Sequence, residues 1–452
     1  MAICNDTMKL WRSLTRIEIA SLCLRILIWA FVASTGHWVA GDSLGFMGHS
    51  VRFCAGDFFG GDSTKSPLYT LFACIGSLPT FPFVGPLVWK GVGFAAAIFF
   101  QTVLVWAAGV YVRKSLFAQS REGATKFWQV AYHFDPVLLV YSSLLMSDAL
   151  FAALLLIATL QIARYFHGSR WTPLAAAATG AIFAFIVLQR SLGMVWVAWT
   201  IGFVFIFYGR SLWVRLRRGQ KMLERPASVA AMFFLVFGIC LAPRIVYQRV
   251  TQNTFSPHVQ GQTWLPSVAA AVAASEQRGL SFKEAEDLWN REHPNATWID
   301  ALETFKKYPA SFAKLVVKGL ARTTIGHVNV EIGLLLTGKT VFGPAWFKNQ
   351  EKFTGEPGGA IYLQEKGLSA KIFWLLGILA VVIWMGWVYF FALRSIIFFR
   401  TSVGAWVLAW ASGVVVIMCS LPLIFGDARF RLGYFPVLLV LWGLSLRGKK
   451  LV

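Results

Sequence analysis

Long apolar runs separated by short charged punctuation dominate this chain. Candidate spans cover about 17 to 40, 88 to 112, 127 to 145, 147 to 165, 172 to 188, 191 to 209, 228 to 245, 370 to 393, 402 to 425 and 432 to 446. An apolar helix of roughly 18 residues or more can cross a hydrocarbon core of about 30 Å. The pattern therefore predicts an all-α polytopic membrane protein with about ten transmembrane helices, within a range of nine to twelve.

Two stretches leave this phase for longer, residues 41 to 87 and 246 to 369. The first contains "SPLYTLFACIGSLPTF", too short to span and closed by Pro79 and Pro82, which predicts a re-entrant or surface helix. The second carries a capping-box pattern at Ser281 and Glu284, then "TWIDALETFKKYPASFAKLVVKGLA" with apolar residues at helical spacing on either side of Pro309. Two or three amphipathic helices at the outer surface are expected there, between the seventh and eighth spans. The chain thus divides into an N-terminal transmembrane module (1–245) whose first outer loop is 41–87, a helical extracytoplasmic loop region (246–369), and a C-terminal transmembrane module (370–452). No internal repeat is visible.

Charge adds topology. Lys and Arg outnumber Asp and Glu 42 to 21, although only 14% of residues are charged and mean hydropathy is +0.61. The basic residues gather at the ends of apolar runs, so the excess reports lipid contact and orientation rather than nucleic acid. With the N-terminus inside, the inside segments hold 20 Lys and Arg, including "RKSLFAQSREGATK", "GRSLWVRLRRGQKMLER" and the final "RGKK". That is the positive-inside asymmetry, and it predicts cytoplasmic termini. The first run is too long for a signal-peptide core and lacks a small-residue cleavage site, so a retained span is expected. The 6 cysteines are scattered without a CxxC pair, which indicates neither a disulfide scaffold nor a structural metal site. His37, His49 and His327 show no ligand spacing.

The chemistry-bearing residues fall mostly on the predicted outer face. Asp42 and His49 follow span 1, and Arg52, Asp57, Asp62 and Lys65 occupy the same loop. Asp148 sits between spans 3 and 4, and Arg190 between spans 5 and 6. Arg244 and Arg249 close span 7, while Asp427, Arg429 and Arg431 precede the last span. Guanidinium groups grip phosphate in a fork, and a carboxylate can take a proton from a hydroxyl or hold a divalent ion such as Mg or Mn. Phosphate together with hydroxyl suggests group transfer. Plainer readings stand beside each residue. Asp42 also suits a solvated loop carboxylate or a helix N-cap, Asp57 and Asp62 in "GDFFGGDS" suit turns, and Arg429 and Arg431 suit interfacial anchors. Arg25 within span 1 and Asp135 beside Pro136 in span 3 can pair with neighbours and carry no catalysis. "GGDSTKS" imitates a P-loop ending, but Thr64 replaces the required glycine and no strand precedes it. The sequon at Asn295 would face outside, and that at Asn5 inside.

Taken in order, four local patterns resemble the GT-C superfamily of polytopic glycosyltransferases that use polyprenyl-phosphate-linked sugars, especially its bacterial protein-mannosyltransferase-like and aminoarabinose transferase-like branches. They are Asp42 in "AGDSLGFMGHSVRF" followed by "SPLYTLFACIG", Asp148 in "YSSLLMSDALFAALLLIATL", Arg190 in "FIVLQRSLG", and Arg429 in "FGDARFRLGYFPVLL". Each is short and degenerate, and the resemblance runs from about residue 15 to 446. The resemblance implies a catalytic base at Asp42 and a supporting acid at Asp148. It places Arg429, Arg190, Arg244, Lys65 and Arg52 on the donor phosphate, and His49, Tyr69 and Arg431 toward acceptor or sugar. It implies an inverting transfer from a polyprenyl-phosphate sugar to a hydroxyl of a glycan, glycolipid or protein, outside a bacterial inner membrane, with Asp148 shaping the site or binding a metal or sugar amine; neutralisation of the phosphate by guanidinium groups removes any strict need for a divalent ion. Ser43 stands where the protein mannosyltransferases carry a second acid, which argues against protein as the specific acceptor. A transporter or flippase of an anionic lipid or solute would use the same arginines, with internal symmetry and paired discontinuous helices as its signature. A purely structural membrane protein would leave the outer acids unexplained.

Overall fold

The computed structural model describes residues 14–36, 43–56, 66–77, 86–117, 122–166, 172–217, 225–253, 255, 268–270, 272–273, 287–289, 291–293, 298–325, 368–398, 402–420 and 428–446. All regular structure among them is helical. The elements are α1 (Arg16–Thr35), α2 (Ser43–Cys54), α3 (Pro67–Ser77), α4 (Pro86–Phe117), α5 (Glu122–His133), α6 (Pro136–Ser142), α7 (Asp148–Phe166) and α8 (Pro173–Gln189). They continue with α9 (Ser191–Arg217), α10 (Arg225–Gln252), α11 (Trp298–Lys307), α12 (Pro309–Ile325), α13 (Leu368–Phe398), α14 (Ser402–Ser420), a 3-10 helix (Ala428–Gly433) and α15 (Phe435–Leu446).

Five described helices are long and apolar enough to cross a membrane: Arg16–Thr35, Gly93–Phe117, Asp148–Phe166, Ser191–Arg210 and Ser228–Thr251. Among the described residues the expected ten-span count is therefore not reached, and two of its members fail for identifiable reasons. The run 127 to 145 is cut at Asp135, because the residue before a proline is pushed out of the helical region. Pro136 instead opens α6 at its first position, and the Asp135 carboxylate caps it by accepting from Leu138 N–H at 2.8 Å. The run 432 to 446 begins as a 3-10 helix, leaving α15 with 12 residues.

Most of the α7 span is buried, with α4, α8, α15 and the 3-10 helix packed around it, while α1, α9 and α10 bury much smaller shares and lie at the periphery. Close approaches are set by small residues. A Cβ on Gly180 of α8 would lie 2.4 Å from the Phe233 carbonyl oxygen of α10, and one on Gly76 of α3 would lie 2.9 Å from Ala97 Cα of α4. At one end of the bundle, Glu18 of α1 is fully buried and takes the Arg113 guanidinium of α4 in a fork, at 2.8 and 3.0 Å. The half-buried guanidinium in this geometry compensates the desolvation of the buried carboxylate. The C-terminal helices attach through indole donors: Trp128 Nε1 to the Leu439 carbonyl at 2.8 Å, and Trp199 Nε1 to the Trp410 carbonyl at 3.1 Å.

Pro309 separates α11 from α12 as its position in the sequence implied; α12 packs Leu315 with Ala301 and Phe305 of α11, and its C-terminal part meets Tyr434 through the Thr323 carbonyl. The capping-box pair Ser281 and Glu284 and the sequon at Asn295 lie outside the described residues. The cysteine reading is corrected: Cys54 at the end of α2 and Cys74 in α3 form a disulfide with Cα atoms 5.6 Å apart.

Candidate functional site

Between α6 and α7 the chain runs without regular structure from Ser143 to Ser147, buried throughout. Exposed carbonyls in such a segment must find donors, and this need shapes the site. Gln101, in the middle of α4, donates Nε2 toward the carbonyls of Tyr141, Ser142 and Leu144 at 3.1, 3.0 and 2.9 Å. Thr102 donates to Ser142 at 2.8 Å. Ser43, the first residue of α2, donates to the Leu145 carbonyl at 3.0 Å, and Gln189, the last of α8, donates to the Ser147 carbonyl at 3.0 Å. Ser66 heads α3 by accepting from Tyr69 N–H at 3.2 Å while its own hydroxyl reaches the Leu188 carbonyl at 2.9 Å.

These bonds draw the N-terminal ends of α2, α3, α7 and α9 to one place. Helix N-termini present unsatisfied N–H groups and partial positive charge, so their meeting favours an anion. At its centre Asp148, the first residue of α7, pairs with Arg190, the single extended residue between α8 and α9. Asp148 is 2% exposed and Arg190 18%, so the acid is enclosed and the guanidinium reaches the surface of the site. Arg244 lies on α10, which packs along α8 with Gly180 against Phe233 and Phe237. Arg244 is 7% exposed and its guanidinium lies 5.6 Å from the Tyr247 ring.

Other expected residues are distributed differently. Asp42 and Lys65 lie outside the described residues, as do Asp57 and Asp62, but each of the first two directly precedes a serine that anchors the site, Ser43 and Ser66. Arg429 belongs to the 3-10 helix, and its side chain lies outside the described part. Arg431 is not an interfacial anchor: it is 0% exposed and faces Asp135 at 3.7 Å inside the bundle. Tyr69 is enclosed too, donating its hydroxyl to Gln101 Oε1 at 2.8 Å. Arg52 is exposed in the last turn of α2, roughly 13 Å along that helix from Ser43 at 1.5 Å per residue, and His49 is half-buried on the way.

The sequence reading passed over Gln101, Ser66 and Gln189, and took Ser43 only as the place of a missing second acid. Their signal was available in part, since Gln101 and Thr102 interrupt an apolar run, and a polar pair at membrane depth calls for partners. Among the described residues no three of His, Cys, Asp and Glu gather as a metal-binding group, and Asp148 already has Arg190 as its partner. Compared with known proteins, the chain matches no protein-family model, no curated protein and no solved structure.

Proposed function

We propose that this protein is an inverting glycosyltransferase that moves a sugar from a polyprenyl-phosphate donor to an acceptor hydroxyl on the extracytoplasmic side. The observation that carries the reading is the Asp148–Arg190 pair at the meeting point of four helix N-termini, recessed among apolar helices. Such a place suits a lipid whose tail lies in the membrane and whose phosphate needs donors. In this mechanism Arg190 and Arg244 grip the donor phosphate, with Arg429 and Lys65 as further cations. Asp148 positions Arg190 rather than taking a proton. Asp42 removes the acceptor proton as the oxygen attacks the anomeric carbon from the face opposite the phosphate. A positioned base contributes about 10²- to 10⁴-fold in rate, and neutralising the leaving phosphate adds to it.

The disulfide supports the side assignment, because structural disulfides persist in oxidising compartments and this one fastens the helices of the first loop. Purified protein incubated with labelled polyprenyl-phosphate sugars should release polyprenyl phosphate, and Asp42→Asn should abolish release while donor binding persists. Near-normal turnover in that variant would remove Asp42 from the mechanism.

Of the second reading, a transporter of an anionic lipid or solute, one observation favours the solute. The break between α5 and α6 at Asp135 faces the 3-10 break at Arg431, and paired discontinuities mark substrate paths in transporters. Translocation of a small anion by the reconstituted protein, with no product from the polyprenyl-phosphate sugar, would select it.

A further inference from the structure

A second polar cluster lies apart from the Asp148–Arg190 pair, midway along the spans. Arg25 is near the centre of α1. Tyr132 donates its hydroxyl to the Val105 carbonyl at 2.7 Å, and Gly109 leaves the room that Tyr132 and His133 occupy, so α5 ends near the middle of the Gly93–Phe117 span. Arg25 donates to Ser142 Oγ at 2.7 Å and to the His133 carbonyl at 3.4 Å. Asp135 faces Arg431 at 3.7 Å, too far for a hydrogen bond. Arg25, His133, Asp135 and Arg431 are each 0% exposed.

What this cluster lacks is acceptors. Arg431 Nε, Nη1 and Nη2 have no hydrogen-bond partner, nor does Arg25 Nε. A guanidinium carries five N–H groups, and the open acceptors are Asp135 Oδ2 and one ring nitrogen of a neutral His133. Two guanidinium groups against one carboxylate leave one positive charge enclosed, with Tyr132, Tyr389, Tyr434 and Cys419 as uncharged neighbours. An enclosed charge with empty donors at mid-span is costly without a counter-ion. We infer that this cluster binds a small monoanion of halide type at the unpartnered guanidinium of Arg431. Complete enclosure excludes a lipid phosphate. Because Asp135 belongs to the N-terminal helices and Arg431 to the C-terminal ones, the ion balances charge where the two parts meet.

Bromide is the probe. Crystals of the full-length protein in sodium bromide should show an anomalous peak beside Arg431. Purified protein should unfold at higher temperature in bromide or chloride than in gluconate at equal ionic strength. Asp135→Asn removes the competing carboxylate, so half-saturation should fall by at least about ten-fold. The paired variant Arg431→Met with Asp135→Leu, which leaves no uncompensated acid, should lose the bromide response. Ordered water without anomalous signal, with the same unfolding temperature in all three salts, would overturn the inference. So would weaker bromide binding in Asp135→Asn. If that variant fails to fold, the wild-type anomalous map decides alone.

Discussion

Replacing Gln101 with leucine tests whether one side chain holds open the segment that presents Asp148. The substitution keeps the volume but removes every polar contact of a 0% exposed amide. Its consequences differ among its partners. The Ser142 carbonyl keeps Thr102 at 2.8 Å, and the Leu144 carbonyl keeps Met146 N–H at 2.8 Å. The Tyr141 carbonyl loses its Gln101 donor, and the buried Tyr69 hydroxyl loses its acceptor. A buried polar group deprived of its partner costs about 1 to 3 kcal/mol, while hydrogen bonds within membranes average about 0.6 kcal/mol because the unfolded reference also finds partners. The lost acceptor of the Tyr69 hydroxyl gives a destabilisation of about 1 to 2 kcal/mol. Thr102→Val removes a single bond to a carbonyl that Gln101 still serves, so its cost should stay under about 1 kcal/mol. Thermal unfolding of both variants in lipid nanodiscs measures the difference. Equal effects, or no loss in Gln101→Leu, would refute the idea that Gln101 is the main support of this segment.

Gly180→Leu should force α8 and α10 apart and cost about 1 to 3 kcal/mol, whereas Gly202→Ala, with nothing within 4 Å of the added Cβ, should be near neutral in the same unfolding assay. Arg113→Met should destabilise by roughly 3 to 5 kcal/mol by stranding the buried Glu18 carboxylate, and adding Glu18→Gln should recover much of that loss; an additive double variant would contradict the pairing. Intact-mass analysis after alkylation in denaturant should show two more alkyl groups with prior reduction than without, from Cys54 and Cys74.

How far the sequence disclosed this arrangement depends on whether a signal is local. The span expected at 17 to 40 appears as Arg16–Thr35, ended by Gly36 at φ 71°, a left-handed stop that glycine accepts readily. The break at Pro309 and the acid heading α7 were legible for the same reason, since caps and prolines act on their immediate neighbours. The cut at Asp135 was masked by the apolar residues on both sides, although proline's effect on the preceding residue marks it. Long-range partners were hidden. Asp148 meets Arg190 only because α7 and α8 lie in a register that depends on the whole bundle. Cysteine pairing cannot be deduced from spacing alone, so the link between Cys54 and Cys74 was missed. Arg431 read as a loop residue because it falls with Asp427 and Arg429 between two apolar runs, but it faces Asp135 inside the bundle, nearly 300 residues earlier.

The central claim is that the Asp148–Arg190 pair belongs to a phosphate-gripping site of a sugar transferase. Release of labelled polyprenyl phosphate by purified protein, compared between wild type and Arg190→Lys, tests it most directly. Lysine keeps the charge beside Asp148 but loses the fork that holds phosphate, so the account predicts release by wild type and at least about a ten-fold slower rate in a folded Arg190→Lys variant. Equal rates in the two proteins, or no release from any polyprenyl-phosphate sugar, would contradict it.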